Sequence, residues 1–199
     1  MGAVAELWRH PIKSHGRETL DAVEFTAGAC MPWDRHWAVT HDATKFDDTG
    51  WAHCRNFMIG ARTPALAGIW AAFDEDAGQI TLRHQDLGSI TFHPDLQSDA
   101  FVDWVAPLCP HDRTSPKAII KAADRGMTDS PFPSVSIMNR ASHAAVEAAV
   151  GHPVEQERWR ANIWLDGIDP WVELSWMGKT IRLGEAEFEI REPCVRCLH

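Results

Sequence analysis

A chain of 199 residues is long enough for one large domain or two small ones sharing an interface, and 45% hydrophobic with 24% charged residues is ordinary globular composition. The formal net charge of −9 argues against nucleic acid as the main partner, whereas a small anionic ligand needs only a local cluster of cations. No apolar run nears the roughly 20 residues of a membrane span, and the N-terminus lacks the basic-then-apolar order of a secretory signal. The expectation is a soluble cytoplasmic protein without a membrane span.

In chain order, Ala3 to Trp8 alternates loosely as a strand that ends at His10-Pro11. Arg35 to Thr40 has the β-branched and aromatic content of a second strand, and Asp42 to Gly50 is a polar, turn-rich tip. Leu66 to Phe73, Gln79 to His84 and Ser89 to His93 read as successive strands, with turns at Asp76-Ala77-Gly78 and Asp86-Leu87-Gly88. That spacing predicts an antiparallel meander or barrel. Ser98 to Ala106 has helical spacing and stops at Pro107, His111 to Pro116 is a linker, and Ala118-Ile119-Ile120 is a short apolar run.

Asp129 to Pro133 is an irregular loop held extended by its prolines, and Val135 to Met138 reads as a buried strand. Asn139 to Ser142 leads into an Ala-rich helix ending near Val150, with Gly151 as its cap. Arg160 to Leu165 reads as a strand, Pro170 to Trp176 as a single helical turn, and Lys179 to Leu183 with Ala186 to Ile190 as two strands joined by Gly184-Glu185. The predicted class is mainly β with short helices.

Ten Trp and no Tyr point to Trp as core filler and interface cover. The five cysteines, Cys30, Cys54, Cys109, Cys194 and Cys197, form no regular framework, which favours free thiols or a metal site over structural disulfides. Cys194-Val195-Arg196-Cys197 is the strongest chemical signal: two soft thiol ligands with Arg191 and Arg196 bringing positive charge beside them. By itself the pair admits a redox dithiol, a zinc half-site completed by His53-Cys54 or His199, or two packed thiols without chemistry.

Other segments narrow the choice. His10-Pro11-Ile12-Lys13-Ser14-His15-Gly16 joins a strand end to a Lys, a hydroxyl and a Gly, the parts a phosphate loop uses. Asp34-Arg35-His36-Trp37 sets another Arg at a strand start, and Arg160 with Asn162 falls on one face of the expected strand. Together with Ser136-Ile137-Met138-Asn139-Arg140-Ala141-Ser142, Trp171-Val172-Glu173-Leu174 and Pro193-Cys194-Val195-Arg196-Cys197, these segments in this order resemble the MOSC family, named for the C-terminal domain of molybdenum cofactor sulfurases. They look most like the branch with an N-terminal β-barrel domain, which includes the mitochondrial amidoxime-reducing component and bacterial N-hydroxylamine reductases.

The resemblance implies an N-terminal β-barrel-like domain over residues 1–110 and a MOSC β-barrel domain over 111–199. It implies that Lys13, Ser14 and Arg35 bind the pterin and phosphate portion of a molybdenum cofactor (molybdopterin). Arg160 and Asn162 form a second contact, Val195 and Arg196 line the cofactor beside the metal, and Cys197 coordinates molybdenum as the catalytic and metal-binding thiolate. The chemistry agrees: an acidic protein that binds a phosphate must gather local cations, and a dithiolene-bound molybdenum suits a soft thiolate.

Two departures from the family pattern stand out. Phe132 and Pro133 occupy positions where relatives place hydroxyl residues, with Ser130 and Ser134 displaced beside them. Relatives also continue for several tens of residues past the CxxC pair, so the second domain is expected to be truncated at its C-terminus.

The function implied is an oxidoreductase that reduces small N-oxygenated compounds, fed by a separate electron-transfer protein because no flavin, haem or iron–sulfur motif is present. The other readings are a sulfur carrier or cofactor-binding module without turnover, and a zinc-stabilised structural β domain using Cys54, Cys194, Cys197 and a His.

Overall fold

The computed structural model describes residues 2–45 and 50–194. They form β1 (Ala3–Arg9), β2 (Glu18–Leu20), β3 (Trp37–His41), β4 (Trp70–Asp74), β5 (Gln79–His84), β6 (Gly88–Phe92), α1 (Ser98–Val105), β7 (Pro116–Lys121), β8 (Ile137–Asn139), α2 (Arg140–Val150), β9 (Ile163–Asp166), β10 (Thr180–Leu183) and β11 (Ala186–Glu189), with short 3₁₀ turns between them. The fold is mainly β with two short α-helices, as the sequence predicts. No described helix is long and apolar enough to cross a membrane.

By contact the chain divides into two compact units that interleave along the sequence. One holds residues 2–8, 19–25 and 135–194; the other holds the described residues of 9–18 and 26–134. The sequence suggested consecutive domains meeting near residue 110, whereas contact groups the first strand with the last third of the chain. The cause is strand pairing: β1 pairs antiparallel with β9, from Ala3 opposite Asp166 to Leu7 opposite Ile163.

In that unit the sheet order is β2-β1-β9-β8. β8 and β9 run parallel, so the chain must cross over between them, and α2 makes the crossing. The Asn139 side chain accepts the Ala141 N–H to start α2, and Gly151 ends it in the left-handed region at φ 76°. Trp8, Ala161 and Trp164 form its buried apolar cluster. β10 and β11 make the hairpin expected around Gly184-Glu185.

In the other unit β4, β5 and β6 form the predicted antiparallel meander, and β3 pairs antiparallel with β7. One core joins both sheets to α1: Trp37, Val39 and Ile119 meet Ile80, Leu82 and Phe92 with Phe101 and Val105. Trp behaves as expected only in part, since Trp8, Trp37 and Trp164 are buried while Trp70 and Trp171 are exposed.

Three sequence expectations are corrected. Leu66 to Phe73 is not one strand: Pro64–Gly68 winds as a 3₁₀ turn, with Pro64 preset for helical φ, and the strand starts at Trp70. Val135 to Met138 becomes Ile137–Asn139, because the backbone and hydroxyl of Ser136 are engaged by Asn162. Arg160 to Leu165 shortens to Ile163–Asp166, because Arg160 caps a 3₁₀ turn at φ 48° and the extended run cannot begin there. Arg160 and Asn162 therefore do not share a strand face.

Candidate functional site

The two N-terminal motifs are zipped together by backbone hydrogen bonds. Arg35 N–H donates to the His10 carbonyl at 2.7 Å, Lys13 N–H to that of Trp37 at 2.7 Å, and Trp37 N–H to that of Pro11 at 3.1 Å. Asp34 sits beneath them with its side chain 0% exposed, accepting the His10 N–H at 2.8 Å and pairing with the Arg35 guanidinium. Ser14 (φ 64°), Trp33 (φ 62°) and Arg35 (φ 51°) all lie in the left-handed region. Ser14 is the third residue of a turn closed by His15 N–H on the Ile12 carbonyl at 3.0 Å, a place that normally takes Gly. Each such residue costs about 1–3 kcal/mol and persists only where its surroundings over-determine it.

Lys13 is 4% exposed. Its ammonium donates to the Met127 carbonyl at 2.7 Å and to Asp129 Oδ1 at 2.6 Å. Burial pushes the Lys13 pKa below the ordinary lysine value; the Asp129 carboxylate opposes that shift and the Arg35 charge adds to it. Asp129 itself has a side chain 69% exposed. A buried cation is thus held by one fixed carbonyl and one carboxylate that faces water.

The segment that carries those partners lies against the Asp34 turn. Ala122 N–H donates to the His36 carbonyl at 2.7 Å and Met127 N–H to the Arg35 carbonyl at 2.8 Å. A Cβ at Gly126 would stand 2.3 Å from the Asp34 carbonyl oxygen, so only glycine permits this approach. Trp51 Nε1 donates to the Thr128 carbonyl at 2.8 Å, and the Arg125 guanidinium stacks over the Trp51 ring, 4.9 Å from its centre. Arg125 Nη2 donates to the Ser130 carbonyl at 2.9 Å, while Arg125 Nη1 and Thr128 Oγ1 are buried without a hydrogen-bond partner.

Lys13, Ser14 and Arg35 are therefore brought together, on a strained and closely braced scaffold. Motif reading missed Arg125, Thr128 and Asp129 as members of the same cluster. Gly126 ahead of a Thr and an Asp was the available signal, and the prolines that follow drew attention to the loop rather than to its polar start.

In the other unit Arg160 is left-handed, and Asn162 is 1% exposed. The Asn162 side chain accepts the Ser136 N–H at 3.1 Å and hydroxyl at 2.9 Å, and donates to the Trp8 carbonyl at 3.2 Å. Its backbone exchanges a further bond with Trp8 N–H at 2.8 Å. These bonds tie Asn162 to Ser136 and Trp8. Two other motif segments are also tied to each other: Asn139 Nδ2 donates to Glu173 Oε2 at 2.9 Å, and the Ser142 hydroxyl to Glu173 Oε1 at 2.5 Å.

Val195, Arg196 and Cys197 lie outside the described residues, as does His199. Cys30, Cys54, Cys109 and Cys194 are free thiols, and Cys194 is exposed. Cys54 Sγ lies 3.5 Å from His53 Nδ1. Among the described residues no group of three or more His, Cys, Asp or Glu stands ready to hold a metal ion.

What the Lys13 cluster can do chemically is hold an anion. It offers buried cationic and hydroxyl donors, two of whose polar atoms have no hydrogen-bond partner. Those donors fit a phosphorylated group. Comparison with curated proteins gives no match. Residues 124–199 match the MOSC domain, a family associated with the molybdenum cofactor, and residues 1–106, more than half of the chain, match the MOSC N-terminal beta barrel domain. The chain belongs to the MOSC N-terminal beta barrel family, with a MOSC domain match following in the same chain.

Proposed function

We propose that this protein binds the molybdenum cofactor and uses it as an oxidoreductase that reduces N-hydroxylated compounds, in the manner of the amidoxime-reducing component and the N-hydroxylamine reductases. The proposal assigns residues 1–110 to the N-terminal β-barrel-like domain and 111–199 to the MOSC domain. The supporting observation is the buried Lys13 ammonium, braced beside left-handed Ser14 and Arg35 and paired with the mostly exposed Asp129 carboxylate.

In this reading Lys13, Ser14 and Arg35 grip the pterin and phosphate portion. Arg160 and Asn162 make or position a second contact, Val195 and Arg196 line the cofactor, and Cys197 supplies the thiolate for molybdenum. The bound cofactor supplies two-electron and oxygen-atom exchange with the substrate. The chain's own part is to neutralise the anionic end and fix its orientation. Electrons come from a separate transfer protein, and the setting is cytoplasmic.

Metal and pterin analysis of the purified full chain tests this directly. Molybdenum with pterin is expected, Cys197→Ser is expected to abolish metal retention because a serine hydroxyl is a hard ligand un-ionised at neutral pH, and Cys194→Ser is expected to keep it. Stoichiometric zinc lost equally in both variants would instead support the zinc-stabilised structural domain. With molybdenum present, reduction of a hydroxylamine by an artificial electron donor separates an enzyme from a sulfur carrier or a binding module without turnover.

A further inference from the structure

Two buried polar atoms in the segment after β7 make no hydrogen bond within the described residues. Thr128 is 5% exposed, and its Oγ1 is buried with no hydrogen-bond partner. Arg125 Nη1 is buried and likewise unpartnered, and among the described residues no carboxylate pairs with that guanidinium. Leaving a buried donor unsatisfied is costly, and folded proteins leave few.

Both residues are locked to the Lys13 cluster by contacts of their own. Thr128 directly follows Met127, whose carbonyl accepts the Lys13 ammonium at 2.7 Å. Trp51 donates its indole N–H to the Thr128 carbonyl and carries the Arg125 guanidinium on its ring, so one indole fixes both residues. The Met127 N–H bond to the Arg35 carbonyl and the close approach at Gly126 hold the stretch against the Asp34–Arg35 turn.

We infer that Arg125 and Thr128 are further ligands for a phosphate monoester at the Lys13 site, the guanidinium and the hydroxyl donating to oxygens that Lys13 and Arg35 also attract. A phosphate supplies several acceptor oxygens on one centre, which suits donors arriving from separate segments. Arg125 also adds a guanidinium that no described carboxylate pairs with, whereas Arg35 is paired with Asp34 and Lys13 with Asp129. This assignment rests on the anion-binding part of the proposed function and extends it to residues outside the motifs.

The test uses the full chain produced in a host unable to make the pterin, titrated with inorganic phosphate by calorimetry. Thr128→Val, which keeps shape and removes the hydroxyl, is expected to weaken phosphate binding about fivefold. Arg125→Gln is expected to weaken it about tenfold or more. Thr128→Ser is expected to restore binding, and thermal unfolding of Thr128→Val to match the parent chain. Unchanged phosphate affinity in both variants, or no phosphate binding by the parent chain, overturns the assignment. Pterin content of the chain from an ordinary host is read separately. Its absence there, with phosphate binding intact, sinks the cofactor reading and leaves the anion site standing for another phosphate ester.

Discussion

Lys13 and Asn162 are both polar residues nearly sealed from water, and both sit in motifs that suggested a cofactor contact. Their partners differ. Asn162 bonds to the Ser136 N–H and hydroxyl and the Trp8 carbonyl, groups that cannot leave without moving β1 or the start of β8. Lys13 bonds to one backbone carbonyl and to a carboxylate whose side chain is mostly exposed, beside two buried polar atoms with no hydrogen-bond partner. Bonds to strand backbone make a buried polar group a support of the fold; a pair with an exposed carboxylate beside unpartnered donors suits a ligand better.

The largest effect that separates the two is at Asn162. Asn162→Ala should cost about 3 kcal/mol, because it strands the Ser136 N–H and the Trp8 carbonyl in a buried setting. Urea unfolding monitored by Trp fluorescence checks it. A loss near zero would mean that the fold does not depend on this amide, and the contrast with Lys13 would disappear.

His36 offers an intermediate case. Its ring packs edge-on against Trp33 and Trp37, Nε2 is buried without a partner, and burial, with the Lys121 charge adding, lowers its pKa from 6.5 to about 4. Asp95, bonded to Trp37 and Lys121, pulls weakly the other way. Because the folded pKa is the lower one, the unfolded chain takes up the proton first as pH falls from 6.5 to 4. Stability contributed by neutral His36 is therefore complete above that window and declines through it. The ring is partly solvated, so the decline should be about 1 kcal/mol rather than the full shift. Unfolding midpoints of the parent chain and His36→Gln at several pH values across the window measure it; parallel pH profiles would show that the ring is not held neutral.

The sequence signals were strongest where structure is local. The β5–β6 hairpin was legible from alternation around Asp86-Leu87-Gly88, and α2 from its Asn139 cap and terminal Gly151. Signals failed where a distant partner decides. Arg160 reads as strand, yet its left-handed backbone delays β9 to Ile163, and β2 is too short to mark itself. At the candidate site Lys13, Ser14 and Arg35 were legible as cations and a hydroxyl at loop ends. The carboxylate that holds Lys13 lies 116 residues away, a pairing no local pattern carries. Arg125 and Thr128 stand out only through what they fail to bond, which requires coordinates. The fate of Cys197 lies outside the described residues.

The smallest expected effect on stability is the sharpest test of the contrast. Lys13→Met removes a charge whose burial is already unfavourable, since desolvation is the largest influence on that ammonium. It keeps the length and apolar stem of the side chain. What it gives up is one bond to the Met127 carbonyl and an ion pair whose acidic partner is mostly in water. The Met127 carbonyl loses its buried donor, but relief of the buried charge offsets that cost, and the Asp129 carboxylate left behind is mostly exposed, so the lost pair contributes little. Stability should therefore change by less than about 1 kcal/mol in either direction, while affinity for inorganic phosphate falls at least tenfold. Lys13 would then behave as the inverse of Asn162, dispensable to the fold and needed by the ligand. A loss comparable to that of Asn162→Ala, with phosphate binding unaffected, would place Lys13 among the residues that merely hold the 10–15 loop to the 125–129 segment.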